Sequence, residues 1–157
     1  MSNSTAKSVG DVRGVLLPLQ DAQLLLPNAS IAEVMGYQPP TPIPGAPSWL
    51  LGFHDWRQER VPLVSFETLV ERASPAVGNR ARIAVCKTLG GNPRRPYIAF
   101  LLSAMPRLVR VTEEVISLLD KPEDLGENVK QQVVISGESA WIPDLHALEW
   151  VVQEALS

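Results

Sequence analysis

The sequence predicts a mainly β protein built from small closed barrels, with one helix at its C-terminal end. Three observations carry that prediction. Apolar runs are short and frequent, as in VLLPL at Val15–Leu19, IAVC ending at Cys86 and YIAFLL at Tyr97–Leu102. Turn-forming residues such as Gly90-Gly91-Asn92-Pro93 and Ser136-Gly137-Glu138 separate them, the pattern of consecutive hairpins. Helical spacing is confined to brief stretches and to the last residues. Strands this short and close together suggest barrels, because closure leaves no exposed sheet edge.

Taken in order, Val15–Leu19 is a strand, Gln20-Asp21-Ala22 a turn, and Gln23–Leu26 the returning partner. Ile31, Val34 and Met35 make a third short run, closed by Gly36. Five prolines between Pro39 and Pro47 stiffen the loop that follows and hold two strands apart. A polyproline ligand for an aromatic groove is the alternative reading of that loop. Trp49–Arg57 is the next strand, with a turn at Gln58-Glu59 and a return along Val61–Phe66. Its proline, Pro62, falls near the strand start, where a missing N–H is tolerated. Phe66–Arg72 has helical spacing with Phe66, Leu69 and Val70 on one side, and Ala73–Asn79 is a loop. Ala81–Lys87 and Tyr97–Leu102 form a hairpin, and Leu108–Val111 is another strand. Thr112–Leu119 reads either as a short helix capped by Thr112 or as an extended segment. Lys121–Gln131 is a charged connector to a last hairpin, Val133–Ile135 with Ala140–Ile142. Asp144 caps a final helix whose apolar side is Leu145, Leu148, Val151, Val152 and Leu156.

At 157 residues one compact unit is expected, or two small subdomains sharing a core. Residues 1–10 read as a flexible polar tail without the apolar segment of a signal peptide, and 11–157 as the folded domain. A net charge of −3, from 14 basic and 17 acidic residues, gives no global attraction to nucleic acid or an anionic membrane. The single cysteine, Cys86, excludes an internal disulfide and fits a reducing, cytoplasmic setting. No apolar stretch approaches the roughly 18–20 residues that span a bilayer.

Chemistry-bearing residues are sparse. His54-Asp55 has no nucleophile motif beside it, and adjacent strand residues point to opposite faces. Cys86 sits in an apolar run and reads as a buried small hydrophobe. His54, His146 and Cys86 lack metal-site spacing, so neither metal nor cofactor is expected. Arg94-Arg95 reads as a solvated hairpin tip. Among the tryptophans, Trp49, Trp141 and Trp150 are expected in the core, whereas Trp56, in a charged turn, is the one expected at the surface as an interface anchor.

These residues resemble the CheW-like domain family over roughly Val15 to Leu148. The likeness is carried by Leu26-Pro27, Ile31-Ala32-Glu33-Val34, the loop Pro42-Ile43-Pro44-Gly45-Ala46-Pro47, then Gly52, Arg57 and Val61-Pro62-Leu63-Val64. The family pattern is an apolar strand ending in proline, Val/Ile-x-Glu-Val/Ile, a Pro-x-x-Pro loop, and Asn-Leu-Arg-Gly before Val-x-Pro-Val. Here Arg57 is kept, Asp55-Trp56 replace the Asn-Leu and Gln58 replaces the glycine. The family's later Val-Asp-x-Val stands as Leu102-Ser103-Ala104-Met105. The chain is therefore a divergent member.

The resemblance implies two five-stranded SH3-like barrels packed on a shared core, with no active site. It implies a scaffold coupling a chemoreceptor's cytoplasmic tip to the regulatory domain of a CheA-type histidine kinase, in chemotaxis or pilus-based motility. It also implies an ion pair between Glu33 and Arg57, against which stands the reading of two solvated charges worth at most ~1 kcal/mol if paired. Partner contact is placed on Ile31, Glu33 and Val34, in a groove between the barrels, with Trp56 and Arg57 beside it. Two other classes are weaker. A nucleic-acid-binding barrel would need aromatics on a basic groove, which the acidic balance and the scattered Lys and Arg do not supply. An enzyme would need a motif that is missing.

Overall fold

The computed structural model describes residues 12–89 and 95–157. Among these residues, two sheets hold eleven strands. The first runs in the order β8 (Arg107–Val111), β1 (Val12–Pro18), β2 (Gln23–Pro27), β11 (Glu138–Pro143), β10 (Val129–Ile135) and β9 (Ile116–Leu118). The second runs β3 (Ile31–Gly36), β6 (Arg82–Lys87), β7 (Tyr97–Leu102), β5 (Glu59–Val64) and β4 (Leu50–Trp56). Neighbours are antiparallel except β11–β2 and β5–β7, which are parallel. The chain thus starts the first sheet, leaves to build the second, and returns to finish the first.

The alternation of side chains along each strand divides three cores. In β1, Leu16 faces the interior of the first barrel, while Val15 and Leu17 face the layer between the barrels. In β2, Leu25 goes inward, and Leu24 and Leu26 face the shared layer. The second sheet repeats the rule: Ile83 and Val85, Ala99 and Leu101 fill its barrel, whereas Ala84 and Cys86, Phe100 and Leu102 face the shared layer. Strands buried on both faces must be apolar at every position, which explains runs such as VLLPL and IAFLL. The final helix, Leu145–Ala155, seals the shared layer with Leu148 and Val152. Asp144 caps it, its side chain accepting from the Ala147 N–H at 3.0 Å.

The mainly β fold, the two-subdomain SH3-like architecture and the closing helix match expectation. The first sheet, however, has six strands rather than five. Its extra strand is β9, so Thr112–Leu119 resolves as a turn followed by an extended segment. Pairing of Ile116 with Ile135 and of Leu118 with Val133 decides the matter. The connector expected to last until Gln131 ends earlier, since β10 begins at Val129. The β4–β5 turn is at Arg57-Gln58, one residue before the expected place, and both residues have positive φ, 48° and 66°. Such values suit a two-residue hairpin turn matched to strand twist. Pro62 lies mid-strand, just before the parallel ladder with β7 begins at Leu63. The expected N-terminal tail, the Gly90–Pro93 turn and Arg94 lie outside the described residues.

One clamp sets the barrels against each other. Glu67, buried in the short helix Phe66–Leu69, accepts the N–H groups of Gln20 and Asp21 at 2.5 and 2.9 Å in the β1–β2 turn. Ser103 adds an O–H bond to the Leu19 carbonyl at 2.7 Å.

Candidate partner-binding surface

Of the expected site residues, Glu33, Trp56 and Arg57 meet at the mouth of the second barrel. β3 carries a bulge at Ala32, so that Ile31 opposes Cys86 and Glu33 opposes Val85. Residues directly opposite share a face, so the bulge turns Glu33 toward the side on which Val85 lines the barrel. There it meets Trp56, the last residue of β4. The indole Nε1 donates to Glu33 Oε1 at 2.9 Å, and Arg57 Nη2 donates to the same oxygen at 3.2 Å. The Arg57 guanidinium carbon also lies 4.9 Å from the Trp56 ring centroid, a cation–π contact. β3 and β4 stand at the two ends of the strand order, so these bonds, with the Thr41–Phe53 bridge, close the barrel.

The ion pair between Glu33 and Arg57 exists, and its side chains are 42% and 70% exposed. It is a surface pair tied to a buried aromatic. Trp56 itself departs from expectation: it is buried at 7% exposure, edge-on to Tyr97 with ring centroids 4.7 Å apart. The exposed tryptophan is Trp150, expected in the core. Both placements follow from periodicity. Trp56 shares its strand face with buried Gly52 and His54, alternating with exposed Asp55. Trp150 lies about 200° around the helix from buried Leu148. Trp141 is buried as expected, and Trp49 is half-buried against the shared core.

Ile31 and Val34 are half-buried and pack against the shared core, while Ala32 and Met35 pack against the interior of the second barrel. The segment therefore lies on the seam between subdomains, with Glu33 and Arg57 beside it. The prolines between Pro39 and Pro47 lie in the loop that joins β3 to β4 across the barrel. Ile43 and Ala46 in that loop rest on the shared core.

Nothing in this region assembles catalytic groups. His54 is buried with Nε2 at 3.1 Å from Met35 Sδ, and burial lowers its pKa despite Asp55. Burial pushes the Cys86 thiol up to about 12, which leaves it an inert hydrophobe. Among the described residues, no group of three His, Cys, Asp or Glu is placed to hold a metal ion, and no helix is long and apolar enough to cross a membrane.

The chain thus folds as two SH3-like barrels on a shared core, with a charged and aromatic cluster at the mouth of the second. The chain belongs to the CheW-like domain family, whose sequence profile matches residues 13–150. Its fold is similar to that of the scaffolding protein TtCheW from Thermoanaerobacter tengcongensis. That match has a TM-score of 0.73 at 17% identity and covers 88% of this chain and 92% of the other. Comparison with curated protein sequences finds no match.

Proposed function

We propose that this protein is a non-enzymatic, cytoplasmic scaffold of a bacterial chemosensory system, coupling a chemoreceptor's cytoplasmic tip to the regulatory domain of a CheA-type histidine kinase. The observation that carries the reading is membership of the CheW-like family across residues 13–150. The seam supports it. A helical receptor tip needs apolar positions to receive anchors at i, i+3 and i+4, and Ile31 and Val34 line the seam beside the Glu33–Arg57 pair. In this reading Ile31 and Val34 supply the apolar contact, Arg57 supplies a charged one, and Trp56 acts from beneath by holding Glu33 and Arg57 in place.

Affinity purification of the full chain from its native lysate tests the reading. A receptor and a histidine kinase are expected to co-purify, and the absence of both overturns it. The placement is tested by Ile31→Asp and Val34→Asp, each followed by thermal melting beside a receptor-binding assay. Loss of binding is expected at a melting temperature that still leaves the protein folded. If both variants leave melting and binding unchanged, the partner contact lies elsewhere.

A further inference from the structure

The second barrel presents a cationic feature on the face of β4 opposite Trp56. Phe53 and Asp55 alternate with the inward residues Gly52, His54 and Trp56, so they face outward. Phe53 is half-buried, and two guanidiniums gather on its ring. The Arg60 carbon lies 4.4 Å from the ring centroid and the Arg95 carbon 5.7 Å. Among the described residues neither is in an ion pair, although Asp55 is the cross-strand neighbour of Arg60. The backbone at Arg95 is anchored, because the Thr88 hydroxyl donates to its carbonyl at 3.2 Å and the Thr88 N–H donates to Pro96 at 3.0 Å.

Two like charges on one aromatic ring repel each other. The ring's attraction for each cation offsets part of that cost, and an anion between or beside them would remove the rest. The arrangement also holds two long side chains whose forks would otherwise move freely, which lowers the entropy lost on binding. We propose that the outer face at Phe53, Arg60 and Arg95 is a docking station for a carboxylate-bearing segment of a partner protein. Guanidinium forks match carboxylates bidentately. Two guanidiniums, the number on this face among the described residues, suit one or two carboxylates of a peptide rather than the continuous charge of a phosphate backbone. The face is on the far side of β4 from the Glu33–Trp56–Arg57 cluster, so the inference does not rest on the receptor-coupling reading.

Fluorescence anisotropy with the full chain and a labelled peptide of alternating glutamate and alanine tests it. Binding is expected to weaken steeply with salt, as exposed charge contacts do. The Arg60→Gln, Arg95→Gln double variant should lose about tenfold or more in affinity, the scale of lost charge-assisted bonds. Its melting temperature should stay unchanged. Phe53→Leu, which keeps both charges but removes their platform, should lose roughly two- to fivefold, the scale of a cation–π contact. Arg13→Gln on the first barrel should leave affinity unchanged. The proposal is overturned if the double variant binds the peptide as wild type does, or if Arg13→Gln weakens binding equally. It is also overturned if a labelled single-stranded oligonucleotide binds this face more tightly than the peptide, or if wild type binds no acidic peptide.

Discussion

The two barrels are built alike and finished differently. The second is plugged. Trp56 caps an interior of Val61, Leu63, Ile83, Val85, Ala99 and Leu101, and its indole is bonded to the edge strand opposite. Among the described residues, the first has no such plug. Its buried interior among the described residues is Leu16, Leu25, Val133, Ile135 and Ala140, and Gly14 occupies an inward position on β1. An apolar cavity of about 250 Å³ remains, lined by Val12, Leu25, Val111, Ile116 and Ile142 among others. Its edge strands β8 and β9 are joined by the Thr112–Val115 turn, share no ladder among the described residues, and expose Leu108 and Leu118. An SH3-like barrel can thus be closed by a side chain or by the chain itself. Only the first way fills the mouth.

Truncating the plug is expected to have the largest effect. Trp56→Ala empties the mouth of the second barrel and should cost ~3–5 kcal/mol in urea unfolding, the range for a large aromatic lost from a core. Leu118→Ala, at the exposed edge of the first barrel, should cost less than ~0.5 kcal/mol. Equal losses at the two sites would erase the contrast.

Glycine substitutions sharpen it next. Gly52 has φ +144°, and a Cβ there would lie 2.3 Å from the Thr41 carbonyl oxygen, which is backbone held in the closing bridge. Gly52→Ala should therefore cost ~2 kcal/mol or more in unfolding free energy. At Gly14 the added Cβ would come within 3.0 Å of the Leu25 and Val111 methyl groups, which border the open cavity and can shift into it. Gly14→Ala should change stability by less than ~1 kcal/mol. A larger loss at Gly14 than at Gly52 would mean that the first barrel is as tightly filled as the second.

A pH effect just below neutrality belongs to the second barrel. His54 is buried there and its pKa is lowered from 6.5 by desolvation. The unfolded chain then binds the proton first, so stability is whole above 6.5 and falls as pH drops from 6.5 through the lower folded value. Urea midpoints measured at neutral and mildly acidic pH should show that fall, reduced in His54→Gln. An undiminished fall in the variant would assign it to other groups.

The smallest effect is at the rim. A double-mutant cycle with Glu33→Ala and Arg57→Ala should yield an interaction energy of about 0.5 kcal/mol, since the Arg57 side chain is 70% exposed. Strict additivity would show that the pair does nothing for the fold and leave Glu33 as the acceptor for Trp56.

How much was legible in the sequence varies along the chain with the kind of contact involved. The strands of the shared layer could be read directly, because residues buried on both faces leave unbroken apolar runs. Asp144 announced the final helix through local capping. The ion pair between Glu33 and Arg57 came from family likeness alone, since the bulge at Ala32 that aims Glu33 leaves no mark in local pattern. Trp56 was misplaced because its charged neighbours were read as a property of the turn. The alternation with His54 and Gly52 was the available signal. Trp150 was misplaced by counting tryptophan as core, although the apolar stripe of its own helix already excluded it.

By itself the sequence determined the strand periods, most turns, the helix cap and the lack of catalytic motifs, because each depends on residues within a few positions of one another. Only the tertiary structure decided which barrel would be plugged, that β9 would join a sixth place in the first sheet, and that Arg60 and Arg95 would share the ring of Phe53. Those outcomes depend on register between strands distant in the chain. A shift of one residue there exchanges the two faces of a strand, and no local pattern records which face its partner will meet.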